Sequence, residues 1–239
     1  MKIDNNNTMK AVIMAGGEGV RLRPFTYVIP KPLLPIGNST ILERTIKCLT
    51  KCGFGEIFIS INYRSQSFEK WMGDGEKYGA KIRLIKEKKK LGTAGSLYLM
   101  RDFLTDDFCM LNGDLIIQID LDEMYWFHKQ KNADITIGIK EHRLTIPYAI
   151  INKNKDGILY DIEEKPTYKY FINSGIYILN PLIFDIMFHE KHIDMPELIG
   201  NVKRAGGDIF VYDIGNRWLD MGQFSDYEKA VDIIDKWKE

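Results

Sequence analysis

A continuous apolar segment at residues 10–15 leads directly into the glycine pair Gly16 and Gly17. A short apolar run that ends in glycines is typical of a buried strand in a parallel sheet. The glycines begin a loop at residues 16–38 that contains four prolines. Loops of this length inside a compact domain usually have a function. We therefore expect an α/β protein whose first strand delivers a functional loop to the carboxyl edge of its sheet.

Further along the chain, apolar runs alternate with helical patterns. Strands are predicted at residues 57–61, 82–86, 108–111 and 134–139, and helices at residues 41–51, 65–78, 92–103 and 121–131. Thr40 and Glu43 form a capping box at the start of the first helix. This alternation predicts a Rossmann-like, doubly wound mixed sheet with mostly parallel strands.

The pattern changes after about residue 145, where Asp156 and Gly157 form a hairpin turn signal. Strands are predicted at residues 148–152, 158–163, 172–179 and 209–214, and helices at residues 181–189, 195–205 and 225–238. The second half should therefore add antiparallel strands to the sheet. We interpret residues 1–9 as a flexible tail or a linker and residues 10–239 as a single domain.

Composition limits the possible partners. Lys plus Arg and Asp plus Glu are 33 each, so no positive field attracts nucleic acid and any anion site must be local. No apolar run reaches about 18 residues, and the N-terminus lacks the apolar core of a signal peptide. The three cysteines do not suggest a disulfide framework. We expect a cytoplasmic protein without nucleic-acid or membrane partners. The sequence does not determine the oligomeric state, so a homo-oligomer stays open.

The loop after the first strand has the composition of a phosphate site. Gly16, Gly17 and Gly19 let backbone N–H groups approach a polyanion, and Arg21 and Lys31 add two cations. The dinucleotide fingerprint would need a glycine where the chain has a leucine, and the Walker pattern is absent. A purely structural glycine turn would not require the paired cations. The loop therefore favours a nucleotide.

Seven segments of the chain resemble motifs of the sugar-1-phosphate nucleotidylyltransferase family, in the order found in that family. They are residues 15–24, 30–35, 91–95, 112–114, 164–166, 173–175 and 218–222. The resemblance implies a Rossmann-like fold with an antiparallel sugar-binding part. It also implies that an NTP and a sugar 1-phosphate react to give an NDP-sugar and pyrophosphate. One position departs from the pattern, because Val20 stands where the family usually has threonine or serine.

The resemblance also implies the roles of the charged residues. Asp114 and Asp220 would hold Mg²⁺, which prefers one or two carboxylates together with phosphate oxygens and water. Either aspartate, taken alone, could simply cap a turn. Arg21, Lys31 and Asp114 would form the catalytic set, with the two cations offsetting triphosphate charge.

The remaining predicted ligands belong to the two substrates. Lys165 would contact the sugar 1-phosphate, while Glu164 and Asn173 would bind sugar hydroxyls. Lys165 could otherwise be an ordinary exposed charge. For the nucleotide, the resemblance adds the 91–95 segment to the loop glycines. Its predicted ligands are Gly92, Thr93 and Gly95.

Glu87 occupies the position, five residues before Gly92, that lies beside the base in this family. Thymidylyl and uridylyl relatives often have glutamine there, whereas sequences with glutamate resemble mannose-1-phosphate guanylyltransferase-like members. A carboxylate only accepts hydrogen bonds, and guanine presents two adjacent donors. GTP is therefore the favoured donor. In the alternative, Glu87 pairs with nearby lysines on the surface, and the enzyme uses dTTP or UTP.

Other interpretations stay open. The chain could be a catalytically silent subunit that senses nucleotide sugars, although the loop cations and both aspartates are present. It could also be a catalytic module of a longer protein. His189 and His192 are interpreted as a surface pair at a helix end, because their spacing does not match a zinc site. The sequence does not identify the sugar.

Overall fold

The structure is a computed structural model that describes residues 8–62, 65–73, 75–188, 191–234 and 236–237. Within these residues, the α-helices are α1 (Ile41–Lys51), α2 (Ser65–Met72), α3 (Leu121–Lys131), α4 (Met195–Arg204) and α5 (Phe224–Ile234). The strands are β1 (Met9–Met14), β2 (Pro35–Ile36), β3 (Ser39–Thr40), β4 (Phe54–Ile61), β5 (Lys81–Lys86), β6 (Phe108–Asn112), β7 (Leu115–Ile117), β8 (Ile135–Thr145), β9 (Ile150–Lys153), β10 (Leu159–Glu163), β11 (Thr167–Leu179), β12 (Ile209–Asp213) and β13 (Trp218–Asp220). None of these helices is long and apolar enough to cross a membrane.

Seven strands form the central sheet in the order β12-β8-β11-β6-β1-β4-β5. Strand β1 pairs in parallel with both β4 and β6, and β4 pairs in parallel with β5. Only β11 is reversed, since it is antiparallel to β6 and to β8. The prediction of a mixed, mostly parallel sheet is therefore confirmed.

Alternate residues of the strands pack on two opposite faces of this sheet, as period-two side-chain geometry requires. On one face, Ile13 and Ile59 join the buried residues Leu42, Ile46 and Leu49 of α1. On the other face, Val12 and Phe58 pack in a second cluster with residues of α4. Helix α1 begins with the predicted capping box, in which the Thr40 side chain accepts from Glu43 N and Glu43 accepts from Thr40 N. The sheet is thus covered on both faces, as a doubly wound fold requires.

The second half adds two antiparallel features. Strands β8 and β11 pair along residues 135–145 and 167–179, so their outer ends form an arm beyond the central sheet. Strands β9 and β10 form the hairpin predicted around Gly157. Strand β8 extends beyond its predicted range of 134–139, because its outer residues pair with β11. These residues are mostly polar, and so the apolar pattern in the sequence ended before the strand did.

Three predicted helices differ in the structure. The helix predicted at 92–103 is instead a 3-10 helix at Gly95–Met100. Residues 92–94 are not helical, and the N–H groups of Ala94 and Gly95 both donate to the carbonyl oxygen of Ile193. The helix predicted at 181–189 is also a 3-10 segment, Pro181–Asp185, and residue 189 lies outside the described residues. Helix α2 ends at Met72, before the left-handed Gly73.

Candidate active site

A cleft of about 570 Å³ opens at the carboxyl ends of the parallel strands β1, β4, β5 and β6. It is lined by Met14, Ala15, Gly16, Gly17, Glu18, Gly19, Val20, Arg21, Leu22, Lys31, Pro32, Asn62, Glu87, Lys90, Leu91, Gly92, Thr93, Asn112, Gly113, Asp114, His192 and Gly222. This is the edge at which open α/β sheets bind ligands. The cleft therefore brings together the glycine loop, the Glu87 region and Asp114, three parts of the predicted site.

The loop glycines differ in what they require. A side chain at Gly19, where φ is +62°, would come within 2.8 Å of Thr26 Cγ2. A Cβ at Gly16 would lie 2.9 Å from Glu87 Oε1. A Cβ added at Gly17 would meet no atom within 4 Å, and Gly17 lines the cleft. Arg21 follows in the 3-10 turn Val20–Leu22, and Val20 is exposed at the cleft wall.

Asp114 and Asp220 are brought together by a two-stranded ribbon. Strand β7 pairs antiparallel with β13, so that Asp220 lies opposite Leu115, the residue after Asp114. The backbone adds a hydrogen bond of 3.1 Å from Met221 N to the carbonyl oxygen of Asp114. The buried Lys31 ammonium contacts the Asp114 carboxylate directly. The predicted convergence of the two aspartates thus has a structural cause.

The electrostatics of this pair suit a bound cation. Loss of hydration raises the pKa of the Asp220 carboxyl, and the negative charge of Asp114 raises this pKa further, while Lys31 and Arg21 act in the opposite direction. A divalent ion would relieve the repulsion between the carboxylates. Within the described ranges no group of three or more His, Cys, Asp or Glu side chains is arranged to hold a metal. Two carboxylates nevertheless fit Mg²⁺, because phosphate oxygens and water complete its shell.

Glu87 is part of the cleft wall and is not free on the surface. Its Oε1 accepts a hydrogen bond of 2.8 Å from Ser60 Oγ, and its Oε2 accepts one of 3.3 Å from Leu91 N. Lys90, which could have paired with it, instead contacts Glu18 Oε1 at 2.5 Å. That contact lowers the pKa of the Glu18 carboxyl. Glu87 is therefore fixed in the cleft wall, and its role in base recognition remains a prediction.

The 91–95 segment is held by a second backbone segment, residues 191–195, which we call the clasp. Ile193 N donates to Leu91 O at 2.9 Å, and Thr93 donates from both N and Oγ1 to Asp194. A Cβ at Gly95 would lie 2.6 Å from Lys191 O. Gly92 and Thr93 line the cleft, whereas Gly95 is buried beneath it. The clasp thus explains the glycine at position 95 without a ligand contact.

The predicted sugar ligands lie outside the cleft lining. Glu164 and Lys165 are exposed between β10 and β11, with 3.8 Å separating Lys165 Nζ from Glu164 Oε1. Asn173 donates to Tyr177 OH at 2.7 Å and accepts from Gly175 N at 3.0 Å. Gly175 packs against Asn112, which does line the cleft. Asn173 is thus connected to the cleft, and the roles of all three residues remain predictions.

Several residues that line the cleft were not singled out from the sequence. Lys90 and Glu18 were missed because charged residues near a strand end usually face solvent. Asn62 directly follows β4, a position that marks the ligand edge of a parallel strand. His192 was predicted at a helix end, but it precedes α4 and lines the cleft within the clasp, and its predicted partner His189 lies outside the described residues.

Comparison with known proteins places this geometry in context. Residues 10–236 match the model of a family described as nucleotidyl transferase. The chain is 34% identical over 226 residues to the mannose-1-phosphate guanylyltransferase catalytic subunit beta of Xenopus tropicalis, covering 92% of this chain and 62% of the relative. It is 30% identical over 242 residues to a UTP–glucose-1-phosphate uridylyltransferase of Synechocystis, covering 93% of this chain and 62% of that protein.

Among solved structures, the chain is similar to HddC of Yersinia pseudotuberculosis complexed with GMP-PN. The TM-score is 0.72 at 25% identity, with 96% of this chain and 100% of the HddC chain covered. The present chain spans 62% of the length of the two curated relatives. These similarities extend over the sheet, the cleft and the antiparallel arm together.

Proposed function

Because the chain belongs to the nucleotidyl transferase family, among the sugar-1-phosphate nucleotidyltransferases, we propose that it joins GTP and a sugar 1-phosphate to give a GDP-sugar and pyrophosphate. The observation that carries the proposal is the position of Glu87. Its carboxylate is fixed in the wall of the same cleft that holds the glycine loop, Lys31 and Asp114. The guanylyltransferase relative and the GMP-PN complex of HddC support the choice of guanine.

The cleft supplies positioning and charge neutralisation, and the reaction needs no covalent intermediate. Backbone N–H groups of the glycine loop bind the triphosphate, while Arg21 and Lys31 offset the charge that develops on the leaving pyrophosphate. The sugar phosphate oxygen attacks the α-phosphorus in line and displaces pyrophosphate. Lys165 holds the nucleophilic phosphate, and Glu164 and Asn173 bind sugar hydroxyls.

Asp114 and Asp220 would hold Mg²⁺, the proposed cofactor, through their carboxylate oxygens. When bound, such an ion polarises the α-phosphate and neutralises part of its charge. Lys31 contacts Asp114 and so holds a second positive charge beside the same phosphates. A cytoplasmic location is part of the proposal.

Two alternatives differ in their support. The uridylyltransferase relative makes UTP or dTTP the second candidate donor within the same reaction. A catalytically silent subunit that senses nucleotide sugars would be expected to lack loop cations or metal carboxylates. Arg21, Lys31, Asp114 and Asp220 all stand in this chain, which favours an active enzyme.

The base preference is tested by comparing kcat/KM for GTP, UTP and dTTP in the wild type and in Glu87→Gln. We expect GTP to be preferred and Glu87→Gln to shrink its preference over UTP at least about tenfold, because the amide replaces one acceptor with a donor facing guanine. Lys88→Gln, an exposed change in the same segment, serves as the control and should leave the preference unchanged. A wild type that uses UTP or dTTP well and ignores GTP would contradict the guanine assignment.

A further inference from the structure

Ser60 is a buried polar residue at the cleft end of β4. It lies between the buried residues Ile59 and Ile61, and its side chain has no exposed surface. A serine in such a strand needs a hydrogen-bond partner, because a buried hydroxyl without one is costly. The partner is the Glu87 carboxylate, whose Oε1 accepts from Ser60 Oγ at 2.8 Å.

Glu87 is held by the protein at its backbone and at both carboxylate oxygens. Its backbone N–H donates to Ile61 O at 2.8 Å and Leu91 N donates to Oε2 at 3.3 Å, while a Cβ added at Gly16 would lie 2.9 Å from Oε1. Each carboxylate oxygen therefore accepts one hydrogen bond from the protein and keeps further lone-pair capacity. The two oxygens can then serve as a pair of adjacent acceptors for a ligand in the cleft.

We propose that Ser60 is a positioning residue for base selection, acting through Glu87. The inference rests on the proposed function, in which Glu87 contacts the base. The Ser60 hydroxyl fixes the side chain in the cleft wall and keeps it from turning toward the adjacent lysines. Because serine is neutral, it orients the carboxylate without cancelling its charge. That charge strengthens hydrogen bonds to the two guanine donors and disfavours a pyrimidine carbonyl.

The test is a double-mutant cycle on nucleotide binding, read by calorimetry with GTP and with UTP in the presence of Mg²⁺. The variants are Ser60→Ala, Glu87→Ala and the double variant of the full chain. We expect Ser60→Ala to shrink the ratio of UTP to GTP dissociation constants about fivefold, the effect of one hydrogen bond. In the Glu87→Ala background, adding Ser60→Ala should change this ratio by less than about twofold relative to Glu87→Ala alone, because Ser60 acts only through Glu87.

Ser174→Ala is the matched control. Ser174 is equally buried and its hydroxyl donates to Gly138 O at 2.7 Å, so its loss costs a similar hydrogen bond without touching Glu87. Ser60→Thr, which keeps the hydroxyl, should preserve the wild-type ratio. A ratio unchanged in Ser60→Ala, or an equal change in both backgrounds, would overturn the positioning role. A wild type that binds UTP more tightly would instead contradict the guanine assignment, and the cycle would still decide whether Ser60 acts through Glu87.

Discussion

At the residue scale, the charges of the cleft are arranged in pairs whose partners come from distant parts of the chain. Lys31 contacts Asp114, and Lys90 contacts Glu18. Residue types and motif order placed Arg21, Lys31 and Asp114 in the predicted site, and the structure brings all three to the cleft lining. The contacts of Glu87 with Ser60 and Leu91 could not be predicted, because they depend on the relative positions of β4 and the segment after β5.

The two halves of the site should respond differently to the loss of a cation. Arg21→Ala should lower kcat, because its charge acts on the triphosphate as negative charge moves to pyrophosphate. Lys165→Ala should mainly raise KM for the sugar phosphate, because Lys165 is exposed between β10 and β11, outside the cleft lining. Steady-state kinetics and calorimetry with the NTP separate the effects. NTP affinity that falls equally in both variants would contradict this division.

At the element scale, the clasp decides the shape of the 91–95 segment. The sequence predicted a helix beginning near Gly92, but it could not show that residues 191–195 dock against this segment. Gly92 has φ of +80°, and a Cβ there would lie 2.5 Å from Ile193 O. The close approach of the Ile193 backbone thus explains the glycine at position 92, and its contact with a nucleotide remains a prediction.

Gly92→Ala should lower the free energy of unfolding by about 2–4 kcal/mol, since it combines left-handed strain with a backbone clash. Gly206→Ala is the matched control, because Gly206 has φ of +86° and open space around its Cα. It should cost only about 1 kcal/mol. Urea denaturation measures both changes, and equal losses would show that the clasp does not restrict position 92.

A buried polar network joins β6 to α3. Asp107 Oδ2 lies 2.7 Å from Lys129 Nζ, and Asp107 Oδ1 accepts a hydrogen bond of 2.8 Å from Asn180 Nδ2. Burial raises the pKa of the Asp107 carboxyl, but the His128 ring and the Lys129 ammonium outweigh it and hold the pKa below its ordinary value. Such a group stabilises the fold above its unfolded pKa, and this contribution is lost as the pH falls through the folded pKa.

Asp107→Asn should therefore lower the free energy of unfolding by about 1–3 kcal/mol near pH 7. The difference from the wild type should begin to shrink as the pH falls below about 4, the ordinary pKa of an unfolded aspartate, and should be lost as the pH falls through the lower folded pKa of Asp107. Denaturation curves between pH 3 and pH 8 measure this difference in the free energy of unfolding. Asp106→Asn, a change at the exposed neighbouring residue, is the control. A difference that does not change with pH would assign the effect to packing alone.

At the scale of the whole molecule, the alternation of apolar runs was sufficient to predict the parallel half of the sheet and the edge at which the cleft opens. The arm of β8 and β11 was predicted only in part, because its outer residues are largely exposed and do not alternate between buried and exposed positions. The β7–β13 ribbon was not predicted, although it is what brings Asp114 and Asp220 together. Short pairings between distant segments leave no periodicity in a sequence.

Pyrophosphate release tests the central claim most directly. The wild-type chain is mixed with each of GTP, UTP, dTTP, ATP and CTP and a panel of sugar 1-phosphates, with Mg²⁺ or with EDTA. We predict that pyrophosphate release requires both substrates, is fastest with GTP and stops in EDTA. In Asp114→Asn, the fall in kcat/KM should correspond to a loss of several kcal/mol of transition-state stabilisation. Pyrophosphate release without a sugar phosphate, or near-normal turnover by Asp114→Asn in the presence of Mg²⁺, would contradict the account.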